Sequence, residues 1–491
     1  MNANIIPKSP LLILRFPLPL LLILAVALPN SVYAHSAERG LVMLLPTGYY
    51  VVGGALAVLV SFCLLAFGRE QWLHRLAQCR VAITSSRVFS NHWCSWASAV
   101  FLGLLIVAGY TGSSDPLSNP LPLVIWTVWW VGIVILHCVF GNLWYYINPW
   151  SGPLQSVANY VKALPGLALP KKLGYSVAIV QFFGFALFEL VDLAPEDPRR
   201  LATAVLCYWS FNFLAMIIFG ERDWRQRAEP FSIFFRLLGA CAPLVWTDEG
   251  KSESNHEQIS VSLSWPGSGL LTLPALPISG VVFVLTTLSA VSFDGFARTF
   301  AWLGWINVNP LEFPGRSAVQ LSNAAGLLMS SLLLTGVFII VVYAGWRFAD
   351  RSASTQLIDW RQATGRLVYS IIPISIAFHI AHYLTVLLVN GQYALIAFID
   401  PFNLGWGHSD HGWHVTTSFL NNLDSVRMLW NLQTAVIVLG HIVGIGVAHL
   451  IAIEMTRNDL RLATQSQLFL ALLMVGYTVF GLWLLSTASI G

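Results

Sequence analysis

The chain has 491 residues, of which 56% are hydrophobic, 13% aromatic and only 10% charged, and it carries 20 Trp and 29 Phe. This balance excludes an ordinary soluble globular domain, and a net charge of +3 spread over loops gives no surface for nucleic acid. Its apolar runs of roughly 20 residues are continuous rather than alternating, so they fit helices crossing about 30 Å of hydrocarbon and not a barrel.

In chain order, the N-terminus reads as a secretory signal. Lys8 and Arg15 form a positive start, "PLPLLLILAVAL" an apolar core, and Val32 and Ala34 the small-residue cleavage motif. Cleavage after Ala34 makes His35 the first mature residue. The expected organisation is a signal peptide over 1–34 and a single integral membrane domain over 35–491. The expected fold class is all-α, a polytopic transmembrane helical bundle of about ten spans.

Apolar length places the spans at 48–68, 95–111, 121–141, 173–193, 200–220, 269–290, 324–346, 367–390, 430–452 and 467–488. Basic residues then set the sides. Arg69, Arg75, Arg80 and Arg87, then Lys162, Lys171 and Lys172, then Arg347, Arg351, Arg361 and Arg366 mark cytoplasmic loops. The loop "GSSDPLSNP" (112–120) has no basic residue and belongs outside. The segment 231–246 is short and contains Arg236; reading it as a helix on the cytoplasmic surface keeps every charge cue consistent. The polar stretch 247–268 reads as a loop, and no cysteine falls in an external loop, so a disulfide framework is not expected. The location expected is a bacterial inner (cytoplasmic) membrane, with the lipid bilayer as the first partner.

Ionisable groups inside spans are costly and mark function by default. Here they are His137, Glu189, His379, His382, His441 and His449. In "AFHIAHYL", His379 and His382 share one helix face, while His441 and His449 point within about 80° of each other. By helical rise, His379 and His441 reach similar depths, about 18 and 14 Å from the cytoplasmic side, and Glu189 matches His382. A single such His is read as an interhelical hydrogen bond. Four on neighbouring spans shift the reading to a metal, haem or proton-handling site. The expected cofactor is a divalent transition metal whose identity stays open, because imidazole suits several ions.

One external stretch adds to this set. "GWGHSDHGWHVT" (405–416) gathers His408, His411 and His414 with Asp410 just beyond the His-bearing helices. Its glycines argue for a loop, and a polar rim and a metal-collecting entrance are equally open.

"SAVSFDGFART" (289–299), "IAHYLTVLLVNGQ" (380–392), "IDPFNLGWG" (399–407) and "GHIVGIGVAHL" (440–450) resemble a family of bacterial multipass membrane proteins labelled fenitrothion hydrolase. The resemblance covers most of the chain and ends before the His-rich run. It implies hydrolysis of an organophosphorus triester, with His382, His441 and His449 as the family's histidines and Asp294 and Asp400 as catalytic carboxylates. An apolar small-molecule substrate of that kind would enter laterally from the bilayer. A His-bound metal would supply the activated water and the cation that such a reaction needs. Two other readings stay open: a transition-metal transporter, and a b-type haem protein with axial His pairs. The need for a membrane partner subunit is also left open.

Overall fold

The computed structural model describes residues 45–68, 75, 79–87, 91–161, 167–251, 257–353, 357–402 and 415–487. The signal segment, His35 and the loop histidines His408, His411 and His414 lie outside the described residues.

The helices begin where the sequence supplies chemistry for a first turn. Pro120, Pro198 and Pro230 open helices, where a missing N–H costs nothing. Asn119, Asp197, Asn422 and Asp459 each accept a hydrogen bond from a first-turn backbone N–H. Eleven helices matter here, numbered in chain order: α1 (Thr47–Ala66), α2 (His92–Thr111), α3 (Pro120–Phe140), α4 (Ser176–Val191), α5 (Pro198–Phe219), α6 (Pro230–Ala240), α7 (Ile278–Ala297), α8 (Arg316–Ser352), α9 (Trp360–Ile399), α10 (Leu423–Met455) and α11 (Leu460–Ser486). Among the described residues, nine of them, all except α4 and α6, are long and apolar enough to cross a membrane. The chain is a multi-pass helical bundle. Of the ten spans expected, nine are helices long and apolar enough to cross, and the fourth is the shorter apolar helix α4.

The long helices α8, α9 and α10 each extend beyond their expected bounds, and two segments are placed differently from expectation. The span expected at 269–290 lies at Ile278–Ala297, because Pro274 and Pro277 keep the preceding segment out of the helix and only a short 3-10 turn forms over Ser268–Thr272. The second difference is α6. Placed on a membrane surface by its sequence, it is instead buried on every side, with Phe231, Phe234, Phe235, Leu237 and Leu238 all in the core. At about 16 Å its length is too short to cross. It enters the bundle instead, where Phe231 meets Trp129 at 4.6 Å and Phe185 at 5.1 Å between ring centroids. Glu229 accepts from the N–H groups of Phe231 (2.9 Å) and Ser232 (2.6 Å), and the Tyr208 hydroxyl donates to the same carboxylate, so this inserted helix start is fully satisfied.

A small three-stranded antiparallel sheet joins the helices, where only loop was expected. Its strands are β1 (Arg80–Arg87), β2 (Leu244–Lys251) and β3 (Glu257–Ser264), in the order β1-β3-β2. Val81 and Leu244 both pair with Leu263 across the ladder. The Trp246 indole N–H donates to Phe140 O at 2.7 Å, tying the sheet to the end of α3. This side of the bundle is called the sheet end below.

α7, α9 and α10 form the centre: 78, 61 and 67% of their most apolar windows are buried, against 17% for α1 and 22% for α2. α9 and α10 meet through the pair Gly440 and Gly444. A Cβ would lie 2.8 Å from Pro373 O at the first and 2.7 Å from Ser370 O at the second, so only glycine permits this backbone approach. The contact fixes the rotation of α9, and with it the direction of its histidines.

Candidate functional site

α7 presents Asp294 and Arg298 one helical turn apart near the end away from the sheet. α9 presents His379, His382 and Tyr383 on one face, and α4 contributes Glu189. Arg316 at the start of α8 donates to the carbonyls of Glu189 (3.2 Å) and Asp192 (3.1 Å), which pins the end of α4 in place.

The centre of the arrangement is Asp294. Its side chain is 4% exposed, and both oxygens are fully used. Oδ1 accepts from the Arg298 guanidinium at 3.0 and 3.2 Å. Oδ2 accepts from His382 Nε2–H at 2.7 Å and from the Tyr383 hydroxyl at 3.0 Å. A carboxyl group taking four donated hydrogens has no lone pair left for a proton of its own, so it carries the negative charge that Arg298 balances.

Tyr383 makes a second contact, 3.0 Å to Glu189 Oε1. A phenol has one hydrogen and cannot donate to two carboxylates at once. With Asp294 saturated, the extra proton needed belongs on Glu189, whose O–H then donates to the Tyr383 oxygen. The chain of donors runs Glu189, Tyr383, Asp294, and His382 donates to Asp294 from the other side. In the neutral imidazole this leaves His382 Nδ1 as an acceptor. His382 is 22% exposed and Arg298 42%, so the network opens on that flank while Asp294 stays enclosed.

The remaining candidates are placed differently. His379 Nε2–H donates to Trp130 O at 2.7 Å, and its ring lies 4.8 Å from Tyr383. Residues Val124–Ile133 of α3, which include Trp130, are π-helical, a widened turn that alters where carbonyls point. His441 is fully buried; its Nδ1–H donates to Ile437 O at 2.9 Å and its Nε2 has no partner. His449 Nδ1 accepts from the Gln467 amide at 3.1 Å. His137 Nδ1–H donates to Ile133 O at 2.7 Å within α3, and its Nε2 accepts from Trp144 N–H at 2.9 Å, which ties the end of α3 to the turn that follows it. Asp400 caps the end of α9, about 27 Å of helical rise beyond His382, and does not join Asp294.

The structure thus brings Glu189, Asp294 and His382 together, with His379 alongside, and places His441, His449 and Asp400 elsewhere. Among the described residues no three His, Cys, Asp or Glu side chains converge on a point that would hold a metal ion. Nε2 of His382 and of His379 each donate to an oxygen, and the loop histidines His408, His411 and His414 lie outside the described residues. Two members of the network, Tyr383 and Arg298, were not singled out from the sequence. The spacing of Asp294 and Arg298 in "DGFAR", an acid and a base four apart on one helix, was the available signal for the latter.

Comparison with family models, with curated proteins and with solved structures finds no match to this chain.

Proposed function

We propose that the protein is a multi-pass membrane protein that performs proton-transfer chemistry at His382, with Asp294 orienting the imidazole and Arg298 supplying positive charge. The observation that carries this reading is the 2.7 Å contact between His382 Nε2 and a saturated, enclosed Asp294. A carboxylate in that position fixes the tautomer and leaves Nδ1 as a base.

Hydrolysis of an apolar phosphotriester is the activity we place first. Asp294 and His382 are two of the residues that the fenitrothion hydrolase resemblance implies, and they meet although 88 positions separate them. His382 Nδ1 would accept the proton of an attacking water as its oxygen bonds to phosphorus. The aryl–oxygen group would leave as its P–O bond breaks and take up that proton, and the partly exposed Arg298 would stabilise the charge that grows on the phosphoryl oxygen or sulfur. These roles need only the chain's own side chains. The second reading is proton-coupled transport. It is favoured by the single Tyr383 hydroxyl shared between carboxylates on two helices, a device for passing a proton between elements that move.

One set of proteins tests both. Wild-type, Asp294→Asn and His382→Gln proteins in liposomes are assayed for nitrophenol release from an aryl dialkyl phosphorothioate triester and for solute-driven pH change inside the vesicles. Release that both substitutions abolish identifies the hydrolase. A pH change that both abolish, without release, identifies the transporter. An activity of either kind that survives both substitutions overturns the assignment of His382.

A further inference from the structure

Gly295 follows Asp294 on α7 and lies against the edge of His382 that the proposed function uses. A Cβ built there would sit 3.6 Å from both Nδ1 and Cε1 of His382, and 3.6 Å from Leu484 Cδ1 on α11. These are ordinary van der Waals contacts, so a methyl group would fit without moving a neighbour. The backbone does not ask for glycine either, because the residue is helical and its φ is not in the left-handed region. Glycine inside a helix destabilises it relative to alanine. At Gly440 and Gly444 a close backbone approach accounts for glycine; at Gly295 neither packing nor backbone does. What the absent methyl leaves uncovered is the Nδ1–Cε1 edge of His382.

We infer that Gly295 is a specificity-determining position: by carrying no side chain it keeps Nδ1 of His382 open to an apolar reactant that enters between α7 and α11. The inference rests on the proposed function's assignment of Nδ1 as the reacting atom, and it adds the way in. The surrounding packing fits such an entrance. α7 lies along α8 and α9 but touches α11 only briefly. Toward the sheet end the Tyr477 and Ser292 hydroxyls meet at 2.6 Å and close the gap between the two helices. Farther from the sheet, Gly295, His382 and Leu484 are each partly exposed. Beside them Phe296 stands 6.4 Å from Phe480 and 6.3 Å from Trp483 between ring centroids. An aromatic rim of this kind suits an uncharged, aryl-bearing reactant.

The test is carbethoxylation of the full protein in lipid bilayers by diethyl pyrocarbonate, with the modified positions read by peptide mass spectrometry. The reagent attacks an unprotonated imidazole nitrogen. Nε2 of His382 carries the hydrogen given to Asp294, so Nδ1 is the nitrogen free to react. Rates are compared on their high-pH plateau, which keeps a change of protonation from being read as a change of access. Expected is labelling of His382 in the wild type that slows about tenfold or more in Gly295→Ala. Thermal unfolding of that variant should stay level or rise. Equal labelling rates in the two proteins, or no labelling of His382 in the wild type, overturns the inference. Should Gly295→Ala fail to fold, Leu484→Ala decides: thinning the opposite wall should speed the labelling, and an unchanged rate overturns the entrance. Labelling needs no turnover, so the two failures separate. Labelling that slows as expected in a protein without hydrolysis or transport keeps the role of Gly295 and rejects the function. An active protein whose His382 labelling ignores Gly295→Ala keeps the function and rejects the role of Gly295.

Discussion

Asp294 and His382 meet at 2.7 Å across the central helices α7 and α9, and the same carboxylate carries the guanidinium of Arg298. Replacing Asp294 with Asn keeps the shape but removes the charge that the Arg298 guanidinium and the His382 imidazole face. Leaving enclosed donors short of an acceptor costs about 1–3 kcal/mol. Part of Arg298 is exposed, which puts the expected loss at the lower end, read as a fall in thermal unfolding temperature in detergent. Activity should fall much further, by about 100-fold or more, the usual contribution of an oriented general base. Equal, modest losses in both measurements would make the pair structural.

The glycine contact that sets the rotation of α9 gives an internal comparison. Gly444→Val places carbon 2.7 Å from Ser370 O, a backbone atom that cannot step aside, so α9 and α10 have to separate. Gly446 lies in the same helix with nothing within 4 Å of its would-be Cβ. Gly446→Ala should therefore be neutral or gain up to about 1 kcal/mol from helix propensity. Thermal unfolding of the two variants beside the wild type checks this; similar behaviour would mean that the close approach does not control the packing.

The helices were legible because length and apolar content alone decide them. α6 was misplaced because a hydropathy pattern cannot tell a helix sunk among Trp129, Phe182 and Phe185 from one lying in an interface. Its one charge, Arg236, is satisfied by the carbonyl of Gln226 at 3.1 Å, a partner that sequence does not reveal. Strand β3 left a readable trace in the alternation of Ile259, Val261 and Leu263, hidden by the polar run before it. In the site, depth along a helix was readable and direction was not. His379 and His441 have comparable depth, yet one faces Trp130 O and the other bonds back to Ile437 O. That difference is set by which groups each ring meets in the packed bundle, which hydropathy does not encode.

Topology makes a separate prediction. Lys171, Lys172, Arg351, Arg361 and Arg366 all lie at or near the sheet end, so that end should face the cytoplasm. In a background with the six native cysteines replaced, a membrane-impermeant thiol reagent applied from outside should modify Ser114→Cys, in the turn between α2 and α3. It should spare Ser352→Cys at the end of α8. Both positions are exposed, so a lack of labelling cannot be blamed on burial. The reverse pattern would invert the whole bundle.

The hydrogen count at Tyr383 yields the sharpest prediction. One phenolic hydrogen stands 3.0 Å from Glu189 and 3.0 Å from Asp294, and Asp294 has no room for a proton. Glu189 should therefore behave as a neutral group that donates to Tyr383. Glu189→Gln replaces that O–H donor with an N–H donor of the same length and no charge, so it should leave stability within about 1 kcal/mol of wild type. Tyr383→Phe removes the shared hydroxyl, leaving buried Glu189 without its acceptor and Asp294 one donor short, so it should cost more than Glu189→Gln, by about 1–3 kcal/mol. The double variant should be no worse than Tyr383→Phe alone, because the glutamine then has nothing left to lose. Infrared spectroscopy gives an independent reading: the carbonyl band of a protonated carboxyl group should be present in wild type and absent in Glu189→Gln. A Glu189→Gln protein less stable than Tyr383→Phe, with no such band in the wild type, would place a charge on Glu189 and leave the two carboxylates in need of a second cation besides Arg298.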